Sequence, residues 1–319
     1  MRQRGTTVRS IALAAACAFA ALMPAASRAA DAYPVRPVTM VVPFPPGGGA
    51  DILARVIGQR LSETWGQPVV VESKPGAAGV VGAGAVARSP ADGYTLLMAA
   101  GGAVTPDNMK DLAPVTLVSA PPYILAVSAS MPVNSVKELI AFAKAKPGAA
   151  NFASSGPGSA SHLAAELFMS MSQAKMTHVP YKGIGQAVND LVAGTVTVMF
   201  GPPPPLLPHV QSGKLRALAI TGSERSPLFK DLPTVAESGV PGYEAVGWYG
   251  VLAPAKTPRE IVARVADEIS KALKFPAVQE RLASVGATPV GNSPEQFGRF
   301  LEADIAKSWD LMKKAGVAP

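Results

Sequence analysis

From Val38 onward, short apolar runs alternate with segments in which apolar residues recur every three or four positions. The runs at 38–42, 69–72, 95–99, 123–127, 151–154, 177–179, 196–200, 215–221 and 246–252 predict strands. Short continuous apolar stretches of this kind suit a sheet covered on both faces. Helical spacing covers 51–63, 135–145, 161–171, 185–193, 258–273, 276–285 and 294–315. Strand and helix in alternation predict an α/β chain with mainly parallel strands. The last three helices have no strand between them, so the C-terminal end is expected to pack back on an earlier domain. The stretches richest in Pro and Gly, 43–49, 156–158 and 201–208, each follow a predicted strand. In open α/β sheets ligands bind beyond the carboxyl ends of the strands, so placement alone makes these loops candidates.

The first loop reads Pro43-Phe44-Pro45-Pro46-Gly47-Gly48-Gly49-Ala50-Asp51. Its glycines let the backbone come close to a ligand, and the helix that follows offers N–H groups and the positive end of its dipole. A carboxylate or phosphate is the natural guest, although a plain strand-to-helix turn has the same composition. No Gly-Lys-Ser/Thr follows, which excludes a P-loop. Asp51 would repel an anion and reads better as a first-turn cap, a contact to a ligand amino or hydroxyl group being its other role. The second loop, Ser154-Ser155-Gly156-Pro157-Gly158-Ser159-Ala160-Ser161, sets hydroxyls and glycines at another helix start and makes a second anion cradle from neutral donors. A serine hydrolase would need Gly-x-Ser-x-Gly, whereas Gly158-Ser159-Ala160-Ser161-His162 ends in histidine.

A third segment, Pro180-Tyr181-Lys182-Gly183, offers a charge at Lys182 and a hydrogen bond with a ring face at Tyr181, a solvated lysine being the ordinary alternative. Gly201 with Pro202-Pro203-Pro204-Pro205 predicts a stiff extended wall. Gly82-Ala83-Gly84-Ala85-Val86-Ala87 fits a dinucleotide fingerprint on paper, but it lies too far beyond the 69–72 strand and reads as a small-residue helix packed closely on a sheet. No His, Asp or Glu cluster has metal-ligand spacing, so neither metal nor cofactor is expected.

The chain has 319 residues and a formal charge of +7, which by itself suggests an anionic partner. Much of the excess sits in front of the first strand. Arg2, Arg4 and Arg9 precede an apolar run at 11–23, then Pro24 and the small residues around Ala29, a secretory signal peptide at 1–29. Its removal takes four of the 29 cationic residues and none of the 22 acidic ones, lowering the net charge to +3 and removing the case for nucleic acid. The only cysteine, Cys17, leaves with it, so the mature chain has no thiol chemistry and no disulfide. The expectation is a periplasmic protein that is not membrane-embedded.

Several segments occur together in a familiar order: Tyr33-Pro34-Val35-Arg36-Pro37-Val38, the 43–51 loop, Lys74-Pro75-Gly76-Ala77-Ala78-Gly79, Asp92-Gly93-Tyr94-Thr95-Leu96, the 155–162 loop, His178-Val179-Pro180-Tyr181-Lys182-Gly183, Gly213-Lys214-Leu215-Arg216 and Leu232-Pro233-Thr234-Val235-Ala236-Glu237-Ser238-Gly239. In these the chain resembles the substrate-binding proteins of tripartite tricarboxylate transporters, the Bug receptors, over essentially its whole mature length. The resemblance implies a type II periplasmic-binding-protein fold of two α/β domains around a central ligand cleft with a two-strand hinge. Residues 30–122 with 218–319 would form one domain and 123–217 the other. It also implies a non-enzymatic, monomeric receptor that delivers a small organic carboxylate to integral membrane permease subunits. A ligand-sensing receptor for a membrane signalling protein and an exported serine hydrolase are the alternatives. The ligand would be held mainly by main-chain and hydroxyl donors of the 43–51 and 154–161 loops. Two departures stand out: the segment 101–111 is short, and Gly201 stands where many relatives have Asp, which favours a ligand lacking an amino group.

Overall fold

The structure, a computed structural model, describes residues 33–314; the signal-peptide reading and Cys17 lie outside the described residues. Two five-stranded sheets organise the chain. In the first, β1 (Val38–Val42), β2 (Val69–Ser73) and β3 (Thr95–Ala100) run parallel, and β10 (Tyr249–Pro254) lies antiparallel between β3 and β4 (Leu112–Ser119). The second repeats the plan. Here β6 (Asn151–Ser154), β7 (Thr177–Pro180) and β8 (Val198–Gly201) are parallel, and β5 (Ile124–Ser128) runs antiparallel between β8 and β9 (Leu215–Ile220). In each sheet the reversed strand is the one that has just arrived from the other sheet.

The helices follow the predicted spacing. Helix α1 (Gly49–Trp65) buries Leu53, Ile57 and Leu61 completely, one residue per turn against the first sheet. Helix α2 (Val80–Ala87) comes so close that a Cβ on Gly82 would lie 2.6 Å from the Lys74 carbonyl oxygen, the close packing its small residues foretold, and the single-turn α3 (Pro106–Met109) follows β3. In the second lobe, α4 (Val136–Ala145), α5 (Ala160–Ser172), α6 (Ile184–Ala193) and α7 (Pro203–Gln211) flank the sheet around Phe152, Phe168 and Phe200. The C-terminal helices α8 (Arg259–Lys274) and α10 (Pro294–Lys314) return to β4, and α9 (Pro276–Ser284) packs on α1.

Three differences from the sequence reading have physical causes. Strand β4 was not anticipated because Pro114 interrupts it. The strand sits at the sheet edge, where a residue without an N–H is tolerated, and Thr116 Oγ1 and Leu117 N both donate to Asn292 across that edge. Pro203, Pro204 and Pro205 are not an extended wall but the first turn of α7, where no intrahelical N–H is required. Finally, residues 218–245 stay with the second lobe. Strand β9 pairs with β5 as far as Ile220, Phe229, Val235 and Val240 pack into that lobe's core, and Tyr243 Oη donates to the Ala164 carbonyl at 2.9 Å. Residues 218–245 therefore pack with the second lobe.

Two segments cross between the lobes, one just before Tyr123 and one just before Tyr249, and they bridge at Pro122 and Val246. Buried Thr221 fastens the crossing: its Oγ1 accepts from Tyr123 N at 2.7 Å and donates to the Ala245 carbonyl at 2.5 Å. Helix α10 packs on β4 of the first lobe and also reaches α5 of the second.

Candidate functional site

The two sheets face each other through the loops at the carboxyl ends of their parallel strands, and a cleft of about 40 Å³ lies between them. Gly48 and Gly49 line it from the start of α1, Ala160 and Ser161 from the start of α5, and Ile184 from the start of α6. The first N–H groups of a helix have no intrahelical partner, so three donor sets with positive dipole ends converge on one small space. Pro202, at the head of α7, adds a wall without donors. Among the described residues, no Lys, Arg, Asp or Glu side chain lines this cleft. A larger cavity of about 400 Å³ lies beside it, lined by Ala78, Val80, Trp309 and Met312. Its lining is mostly apolar, so the donor chemistry points to the smaller space.

Local hydrogen bonds shape both cradles. In the first loop Asp51 is buried, with Oδ2 accepting from Gly47 N at 3.0 Å and from Arg55 Nε at 3.1 Å. Its carboxylate closes the loop and pairs with Arg55, whose pKa it raises. The carboxylate thus ties the loop to the helix from outside the cleft lining, its partner being a loop N–H and not one of the first turn. In the second loop Ser159 caps α5, accepting from His162 N at 3.4 Å and donating to the Gly156 carbonyl at 2.7 Å. Ser161 Oγ accepts from Ser155 N at 3.1 Å, and these two serines face the cleft.

Behind this loop lies a stack of rings. Phe152, His178 and His162 lie nearly parallel, with the two imidazole centroids 4.0 Å apart. His162 Nδ1 accepts from Gly158 N at 3.1 Å, which assigns its proton to Nε2, 3.4 Å from Glu166. His178 Nε2 lies 2.6 Å from Ser154 Oγ. Burial first, and then the neighbouring His162, lower the His178 pKa from 6.5 to about 4 against the opposing pull of Glu166. Between these values the unfolded chain binds a proton that the folded chain refuses, so stability is full above about pH 6.5 and is lost as pH falls toward 4. Denaturant titrations across that range should show the decline, and His178→Gln should flatten it; a wild-type stability independent of pH there would contradict the assignment.

Of the sequence candidates, Phe44, Gly48, Gly49, Ser155 and Ser161 line the cleft. Pro45 is not among the lining residues and instead meets the other lobe, where a Cβ on Gly183 would come within 2.6 Å of its Cδ. Gly47 (φ +84°), Gly156 (φ +119°) and Gly158 (φ +73°) shape the loops from positive φ. Ser154 is fully buried against His178 and Gly156, and Ser159 has no histidine ring nitrogen as partner. Tyr181 does not reach the cleft: its hydroxyl donates to Asp190 at 2.5 Å, and burial, then that bond, push its pKa up to about 12. Lys182 is exposed outside it. Gly201 is buried off the cleft, the direction a side chain would take being filled by Leu206 and Met199. Sequence reasoning missed Tyr123 and Tyr249, which line the cleft from the hinge strands, and Ala100 and Gly101 at the end of β3. Among the described residues no group of His, Cys, Asp and Glu has metal-binding geometry, and no helix is long and apolar enough to cross a membrane.

Residues 53–317 match the profile of the tripartite tricarboxylate transporter family receptors. The chain belongs to that family. It is 41% identical over 303 residues to protein BugT of Bordetella pertussis, covering 92% of this chain and 93% of that protein. Among solved structures, Rpa4515 of R. palustris with adipate superposes with a TM-score of 0.86 at 38% identity, covering 90% of this chain and 99% of that one. MatC of Rhodopseudomonas palustris with bound malate gives 0.82 at 32% identity, covering 88% and 99%. The receptor accordingly has the two-lobed α/β periplasmic-binding-protein fold.

Proposed function

We propose that this receptor takes a small dicarboxylate lacking an amino group into the cleft between its lobes and presents it to the membrane subunits of a tripartite transporter. The observation that carries the reading is the convergence of the α1, α5 and α6 N-termini on a space lined by no charged side chain. Such a site stabilises an anion through main-chain and hydroxyl donors and offers nothing to an ammonium group. Asp51, the nearest candidate for one, is engaged by Arg55 and Gly47. Relatives whose structures carry adipate and malate support the same ligand class. The protein works as a periplasmic monomer after loss of residues 1–29, and it binds without catalysis: Ser154, the cradle serine that meets a histidine ring nitrogen, is fully buried behind the loop, and Ser155, Ser159 and Ser161 have no such base as partner. The cleft holds only about 40 Å³ as the lobes stand, so they part about the Pro122–Val246 crossing to admit the ligand and close on it, the ligand favouring the state that it binds better.

Calorimetric titration of the refolded mature protein tests this. Adipate or malate should bind one to one, glutamate more weakly, and the uncharged diamide of adipate not at all. If no carboxylate bound to protein shown to be folded, the reading would fail.

A further inference from the structure

Tyr123 and Tyr249 form the floor of the cleft and are more than nine-tenths buried, at 7% and 4% exposure. Each comes from one of the two strands that enter a lobe from the hinge, and each ring is admitted by a glycine. The Tyr249 hydroxyl lies over the Cα of Gly49, at the first residue of α1, where any Cβ would collide with it. The Tyr123 ring lies in the same way over Gly247. Neither hydroxyl has a hydrogen-bond partner among the described residues. The rings are buried but the hydroxyls are not sealed from solvent, so each is free to donate to what enters the cleft. Burial raises both pKa values, with the charge of Asp304 adding to the effect at Tyr123, so both phenols stay protonated donors at neutral pH.

We propose that Tyr123 and Tyr249 are specificity-determining residues of this cleft, donating their hydroxyl protons to oxygens of the ligand carboxylate seated at the N-terminus of α1. The proposal rests on the carboxylate reading of the cleft and goes beyond it. The helix termini attract any small anion, whereas two phenols fixed by glycines select one whose oxygens reach the floor. Because both come from hinge strands, the ligand also ties the crossing segments to the cradle, so recognition and closure share the same contacts.

The test uses adipate as probe and the variants Tyr123→Phe and Tyr249→Phe, which keep the rings and remove the donors. Each substitution should weaken adipate binding by about tenfold or more, as loss of a hydrogen bond to a charged group does. The thermal midpoint without ligand should hold or rise, because an unpaired hydroxyl has been removed. A purely structural role would lower both together, and that result would overturn the proposal. So would variants that bind adipate as the wild type does. If wild-type protein binds no dicarboxylate, the reading of the cleft fails and this proposal fails with it; wild-type binding with unaffected variants fails this proposal alone.

Discussion

Replacing Gly183 by alanine is expected to weaken ligand binding about a hundred-fold while leaving the unliganded fold intact. Gly183 has φ 175° and ψ 163°, extended values open to any residue, so the substitution strains no backbone. Its cost arises only where the lobes meet. A Cβ there would lie 2.6 Å from Cδ and 3.0 Å from Cγ of Pro45, and the proline ring has no rotamer by which to retreat. Overpacking of this kind costs up to about 3 kcal/mol, and because the contact joins the two lobes it is relieved when they part, so the penalty disfavours the state in which they meet. Affinity drops by the factor that closure is disfavoured, about a hundred-fold for that energy. Calorimetry should show the loss, and the unfolding midpoint without ligand should stay at the wild-type value. Binding at wild-type strength would mean that Pro45 and Gly183 do not meet in the bound form.

Both halves of that contact come from segments the sequence marks as candidates, yet the contact could not be read from them. The strands are legible as continuous apolar runs because both faces of the sheet are covered, the helices because each buries one face, and the loops at strand ends follow from topology. What the sequence hides is pairing over distance. Tyr123 and Tyr249 read as ordinary members of apolar runs, and only the crossing of two hinge strands brings their rings to one floor. The glycines opposite them, Gly247 and Gly49, give a faint signal in hindsight, since a buried ring needs a neighbour without a side chain. Tyr181 and Lys182 misled for the converse reason. Their residue types suit a ligand, but Asp190 one helical stretch later takes the tyrosine, and the lysine points to water. Gly201 shows the limit of arguing from a missing side chain: Leu206 and Met199 occupy the direction in which an aspartate would have to grow.

The largest loss of stability is expected from Phe297→Ala, about 3–5 kcal/mol in urea unfolding. Phe297 is fully buried, and its ring rests on the Cα of Gly250, the second residue of β10, and edge-on to Trp248 at 5.8 Å. Trp248 in turn donates from Nε1 to Asp304 at 2.8 Å, about two turns further along the same helix; burial raises the Asp304 pKa against the opposing pull of that bond. Helix α10 is thus keyed to the hinge strand at two points, and the ring is the one that fills space. Glycine at 250 cannot expand into the void left by alanine, so the cavity persists and the full cost is felt. Gly250→Ala should also destabilise, because its Cβ would meet the ring. The two changes together should cost clearly less than their sum, since the alanine methyl then enters the space the phenyl ring has left. Strict additivity in that double-mutant cycle would show that the ring and the glycine are not in contact, and that α10 is held to β10 by something else.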